Sequence, residues 1–172
     1  MLQKKVCMIG DFSVGKTSLV SRFVRQSFSE KYLTTVGVKI DTKIVELDKE
    51  TVKLILWDIA GNDALTTTAI SYLRGSAGYL LVVDSTRLPT WESALNLRQA
   101  VADQIGEKPF VMLLNKTDLQ EQWELDKELI QQLYYARMAY FTHQCENWHE
   151  CGRGICDIGE FNAASLKQIW AR

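Results

Sequence analysis

Short apolar runs alternate with segments of helical periodicity along the chain, in the order expected of a βαβ architecture. The pattern predicts strands at residues 5–10, 38–47, 52–58, 78–84 and 110–115. It predicts helices at 16–26, 66–74, 90–105 and 127–133. Asp48-Lys49-Glu50 leaves too little chain between the second and third strands for a crossover, so these two should form an antiparallel hairpin on an otherwise parallel sheet. No repeat, low-complexity tract or linker interrupts the series.

Composition narrows this picture rather than changing it. With 172 residues, 47% of them hydrophobic, the chain suits one globular domain around a single core. A net charge of −1 gives no electrostatic case for a nucleic-acid partner or an anionic membrane. The sequence has no basic-then-apolar leader and no apolar run long enough to span a bilayer. Its ending, Gln168-Ile169-Trp170-Ala171-Arg172, carries no prenylation box, so the expectation is a cytoplasmic protein with no membrane anchor in this chain. Four cysteines without a secretory signal are expected to be reduced thiols.

Chemistry enters at the end of the first strand. Gly10-Asp11-Phe12-Ser13-Val14-Gly15-Lys16-Thr17 is a complete phosphate-binding loop between a strand and a helix, continued by Ser18. Its glycines let backbone N–H groups curl toward a phosphate, and the helix N-terminus adds positive potential. Lys16 can reach β- and γ-oxygens, and the Thr17 hydroxyl can ligate Mg²⁺.

Three further signals fall at strand ends, where an open α/β sheet presents its ligand crevice. Asn115-Lys116-Thr117-Asp118 follows the fifth predicted strand. A carboxylate there accepts from the N1–H and exocyclic amine of guanine, a donor pair that adenine lacks, so Asp118 should select guanine. Asp58-Ile59-Ala60-Gly61 ends the third strand. There Asp58 can hold Mg²⁺ through water and Gly61 can bring its N–H against a γ-phosphate, although a strand-terminating Asp before a turn Gly is also an ordinary pattern. Thr34-Thr35 precedes the second strand and offers another hydroxyl to the metal.

Over residues 3 to about 133 the chain resembles the Ras superfamily of small GTPases, and most of all its Rab branch. The resembling stretches are residues 10–19, Thr-Thr-Val-Gly-Val-Lys-Ile at 34–40, Trp-Asp-Ile-Ala-Gly at 57–61, Tyr-Leu-Arg-Gly-Ser-Ala-Gly at 72–78 and Asn-Lys-Thr-Asp at 115–118. The resemblance implies the α/β fold of a P-loop NTPase small G-domain: a mostly parallel six-stranded sheet with one antiparallel hairpin strand and helices on both faces. It implies a slow GTPase that binds GTP and GDP with Mg²⁺ and works as a molecular switch. Carried over, Gly10, Ser13, Val14, Gly15, Lys16, Thr17 and Ser18 surround the phosphates, Thr17, Thr35 and Asp58 hold the metal, and Phe28 packs edge-on against the base. Asn115, Lys116 and Asp118 form the guanine pocket, and Lys16, Thr35, Gly61 and Asn62 serve hydrolysis. Residues 29–40 and 60–74 are then two switches, through which an exchange factor, an activating protein and effectors would bind.

Departures from the family pattern bear on rate. Where the family usually has Gln then Glu, this chain has Asn62-Asp63, an amide on a stem one methylene shorter that falls short of the attacking water. Phe12 stands where small residues are usual and should obstruct an activator's arginine, the alternative being a packing substitution against the second switch. The alternative to slow turnover is a GTP-binding module that recruits partners with negligible hydrolysis. Trp57 and Tyr72 keep part of the family's aromatic effector surface, but Ile40 stands where Phe is expected, and Trp57 can equally be a covered sheet residue.

The sequence divides at 1–133, the G-domain core, and 134–172, an atypical segment. Beyond Tyr134 the expected last strand, Ser-Ala-Lys loop and closing helix have no recognisable sequence. His143, Cys145, His149, Cys151 and Cys156 allow a zinc site to be drawn, without the usual Cys knuckle spacing. The genetic code gives a better account. With synonymous codons chosen, the stretch from Thr142 to Cys156, started one nucleotide later, spells Leu-Ile-Ser-Ala-Lys-Thr-Gly-Thr-Asn-Val-Glu-Glu-Ala-Phe, which is the missing loop and helix start. A frame slip just before Tyr134 would yield an impaired product, and the coding DNA decides between this and a genuine variant.

Overall fold

Side-chain alternation in the first strand sets the layering. In the computed structural model, which describes residues 1–25, 35–47, 50–61, 67–126, 128–129 and 140–142, β1 (Leu2–Gly10) sends Val6 and Met8 into one core and Cys7 and Ile9 into the other. The next elements are α1 (Lys16–Arg25), β2 (Val38–Leu47), β3 (Glu50–Ile59), α2 (Thr67–Ser71), β4 (Gly78–Asp84), α3 (Leu88–Ile105), β5 (Phe110–Asn115) and β6 (Tyr140–Thr142). Strand order is β2-β3-β1-β4-β5-β6, with β2 antiparallel to β3 and every other pairing parallel. The architecture is therefore a mostly parallel six-stranded α/β sheet with one antiparallel pair and helices on both faces, as the resemblance implies.

Helix α1 covers one face through Leu19, Val20 and Phe23, packed on Val6, Leu54, Leu80 and Leu113. Helix α3 covers the other through Trp91, Ala94, Leu97 and Val101, against Tyr79, Leu81, Val83 and Met112. Every residue of β4 is buried, as a central parallel strand with helices on both sides requires. Side chains of this kind contribute about 1.5–3 kcal/mol each when fully buried.

Boundaries differ from expectation in instructive places. The first strand starts three residues early, at Leu2, because Leu2 to Lys4 continue the ladder with Val52 to Leu54. Helix α2 runs only over Thr67–Ser71 and then unwinds through turns closed by Leu73 N–H to Ile70 and Arg74 N–H to Ser71. Helix α3 begins at Leu88, two residues before the predicted start. Pro89 sits in its first turn, where no N–H partner is lost, and the Leu88 N–H donates to Glu124 at 2.7 Å. The predicted helix at 127–133 and the hairpin turn at 48–49 lie wholly or mostly outside the described residues, as does nearly all of 134–172 with its histidines and remaining cysteines.

The expectation that no last strand follows Tyr134 needs correction. Tyr140–Thr142 pairs parallel with Met112–Leu114 on the open edge of β5, and Tyr-Phe-Thr is a β-favouring triplet in the reading frame as it stands.

The carboxyl ends of β1, β3, β4 and β5 meet at one rim of the sheet. Register places Met8 beside Asp58, Gly10 beside Val82 and Asp84 beside Asn115, so the signals at Asp58 and Asn115 converge on the phosphate loop.

Candidate functional site

Between β1 and α1 the loop turns back on itself through two left-handed residues, Ser13 at φ 59° and Gly15 at φ 96°. A Cβ on Gly15 would lie 2.2 Å from Asn115 Nδ2, so a side chain is excluded by space as well as by φ. The buried Lys16 ammonium folds across this loop and donates to the carbonyls of Gly10 at 2.9 Å and Asp11 at 2.7 Å. Burial pulls its pKa down to about 8, against Asp58 and Asp11, which raise it; Arg87 lowers it further. A desolvated ammonium beside a helix N-terminus is satisfied best by an anion.

The first turn of α1 meets the end of β3. Thr17 Oγ1 donates to Asp58 Oδ2 at 2.6 Å, and Thr35 Oγ1 lies 2.7 Å from the Thr17 hydroxyl and 3.3 Å from the same carboxylate oxygen. Asp58 is fully buried and its Oδ1 has no hydrogen-bond partner among the described residues. Burial raises its pKa, opposed by Thr17, Lys16, Thr35 and Lys39. Two hydroxyls gathered on Asp58 Oδ2, beside an Oδ1 without a partner among the described residues, form a set of hard oxygen donors that suits a divalent cation such as Mg²⁺. Gly61 closes the rim: a Cβ there would stand 2.5 Å from the Asp11 carbonyl and 2.7 Å from Phe12 Cα, so the backbones approach as only glycine permits.

Asn115 joins the base side to the phosphate side, its Nδ2 donating to the Val14 carbonyl at 2.8 Å. Lys116 is left-handed at φ 61°, and its ammonium lies 2.7 Å from the buried carboxylate of Asp84. Asp118 is exposed at the rim, open to a ligand.

Gly10, Ser13, Val14, Gly15, Lys16, Thr17, Thr35, Asp58, Gly61, Asn115 and Lys116 are thus brought to one rim, with Ser18 on the first turn of α1. Phe28, Thr34, Asn62 and Asp63 lie outside the described residues. Phe12 stands on the lip, 48% exposed. Trp57 is half-buried, under the Lys5 ammonium at 3.7 Å and with Tyr72 at 6.0 Å between ring centroids; Ile40, its β2 partner, is exposed. The sequence reading passes over Asp84 and Arg87. An acidic residue closing a wholly apolar strand at the carboxyl rim is the same signal that singles out Asp58.

Comparison with known proteins agrees with this geometry. A profile of the Ras family matches residues 5–147. The Ras-related protein YPTC6 of Chlamydomonas reinhardtii is 36% identical over 128 residues, covering 74% of this chain and 59% of that protein. The Ras-related proteins Rab11D of Lotus japonicus and RIC2 of Oryza sativa subsp. japonica are 39% and 40% identical over 116 residues, covering 67% of this chain and 53% and 54% of theirs. The chain therefore spans a little over half the length of these relatives. With the fold, the phosphate loop and these matches together, the chain belongs to the Ras family, as a Rab-like small GTPase.

Proposed function

We propose that the chain binds GTP and GDP with Mg²⁺ and hydrolyses GTP slowly, as a cytoplasmic molecular switch. The observation that carries this reading is the convergence of Lys16, Thr17, Thr35 and Asp58 at one rim, with Asn115 tied to the phosphate loop through Val14. Lys16 trades the Gly10 and Asp11 carbonyls for phosphate oxygens, regaining a partner for its desolvated charge. Held by Thr17, Thr35 and Asp58, Mg²⁺ would supply charge stabilisation to those oxygens. Asp118 reads guanine, Phe28 packs on the base, and Lys116 flanks the pocket. Water attacks the γ-phosphorus, GDP leaves, and the proton released goes to phosphate. Ser13, Gly15 and Lys16 stabilise charge on the leaving oxygen, while Gly61 positions the γ-phosphate and Asn62 the water.

Residues 29–40 and 60–74 serve as switches for an exchange factor, an activating protein and effectors. Thr35 supports the first, because its hydroxyl lies within the Thr17–Asp58 cluster that the γ-phosphate would hold closed. A second reading, GTP retention with negligible turnover, is favoured by Phe12 standing exposed on the lip where Gly61 already crowds the loop. Single-turnover GTP hydrolysis separates the two: slow but measurable phosphate release fits the switch, and none fits the recruiting module.

A further inference from the structure

Two peptide groups of the phosphate loop are held by side chains, one through Asp11 of the loop itself and one directly from outside it. The Phe12 N–H donates to Asp11 Oδ1 at 2.6 Å, and Asp11 Oδ2 in turn accepts from Ser93 of α3 at 3.2 Å. The Phe12 carbonyl accepts from Arg87 Nη2 at 2.8 Å. In a trans peptide the C=O and the following N–H point in opposite directions, so holding the Phe12 carbonyl toward Arg87 turns the Ser13 N–H away from it. Ser13 is a non-glycine residue at φ 59°, a conformation that persists only where its surroundings enforce it.

The same guanidinium holds Asp84, its Nε 2.8 Å from Oδ2. That carboxylate is fully buried, with Oδ1 accepting from the Thr86 backbone and hydroxyl and Oδ2 shared with Lys116 at 2.7 Å. Arg87 itself is fixed at the entry to α3 by its carbonyl, which accepts from Thr90 Oγ1 at 2.7 Å. A continuous chain therefore runs from Lys116 in the base loop through Asp84 and Arg87 to Phe12 in the phosphate loop. Each contact is charge-assisted, and the planar fork of arginine is what lets one side chain serve two acceptors at once.

We propose that Arg87 is a positioning residue that orients the Ser13 N–H toward phosphate, and that Asp84 couples this to the base loop through Lys116. The proposal rests on the nucleotide-binding reading above. It explains why a half-exposed arginine is tied to a buried aspartate at a rim where anions are to be bound: its charge is committed to the scaffold, and its product is the direction of a backbone amide.

The test is the dissociation rate of a fluorescent GDP analogue from the full chain and its variants. Arg87→Ala should speed release about tenfold, with the circular dichroism of the GDP complex unchanged. Arg87→Lys should behave like Arg87→Ala, since one ammonium cannot replace both arms of the fork. In a cycle with Lys116→Ala, the double variant should release GDP at least threefold more slowly than the product of the single effects predicts, because a chain already cut at one end loses little at the other. Release within twofold of the unchanged chain, or full recovery with lysine, overturns the positioning role. Effects that simply multiply overturn the coupling. An unchanged chain that binds no GDP overturns the functional reading, and this proposal with it.

Discussion

Thr17 Oγ1 donates to Asp58 Oδ2 at 2.6 Å, joining the first turn of α1 to the end of β3 across the rim of the sheet. Asp58 is buried beside an ammonium and two hydroxyls, its Oδ1 unpartnered among the described residues, with its pKa raised by burial and only partly lowered by Thr17 and Lys16. An arrangement that leaves a buried carboxylate under-satisfied gains most from a cation.

Metal dependence should follow. Thr17→Asn should weaken GTP binding by at least tenfold and leave GDP favoured, because it would remove the metal ligation proposed beside the γ-phosphate. Chelation of Mg²⁺ should speed GDP release from the unchanged chain by a similar factor and barely affect the variant. Equal sensitivity of both proteins to chelation would contradict the assignment of Thr17.

Hydrolysis should be slow, on the order of 10⁻⁴ s⁻¹ without a partner. Asn62→Gln should accelerate it by restoring the reach of the amide. Phe12→Gly should matter chiefly when an activating protein is present, since the ring stands on the lip rather than over the phosphate loop's interior. Single-turnover phosphate release measures all three. A fast unassisted rate in the unchanged chain would contradict the reading of both residues.

Much of this site is legible in the amino-acid sequence. Strand ends could be read because apolar runs stop at polar residues on the carboxyl rim, and the phosphate loop because its glycines and lysine are spaced by backbone geometry. Arg87 escaped notice because its role depends on Phe12 and Asp84 meeting it, the former 75 residues away along the chain. Helix α2 was overestimated because the apolar positions Ile70, Tyr72 and Leu73 fit a helical face, while the backbone past Ser71 forms successive tighter turns. Tyr140–Thr142 was missed because three residues carry no period, and only the open edge of β5 makes them a strand.

Acid lability should trace in part to Asp84. Burial pushes its carboxyl up, but the bonds from Lys116, Thr86 and Arg87 outweigh this and hold it below the usual range. The unfolded chain then binds more protons than the native one near the ordinary aspartate value of about 3.9. The stability contributed is complete above that value and is lost as pH falls from there through the native pKa. Thermal melting below about pH 4 should show a shallower dependence for Asp84→Asn, and identical slopes would contradict it.

Residues 134–172 offer a separate test. If this segment is read out of frame, its side chains were not selected to close the sheet, and each apolar core residue left wet forfeits about 1.5–3 kcal/mol. A chimera carrying the shifted-frame sequence should melt higher and hold GDP more tightly, through added donors to guanine O6. A chimera that gains neither marks the ending as a genuine variant.

Competition binding decides whether the site reads guanine: a fluorescent GDP analogue is displaced by GDP, ADP or xanthosine diphosphate in the presence of Mg²⁺. GDP should displace it and ADP should not at a hundredfold higher concentration, and Asp118→Asn should shift preference toward the xanthosine nucleotide, where an amide donor meets the acceptor that xanthine offers. Equal displacement by ADP and GDP would contradict guanine recognition.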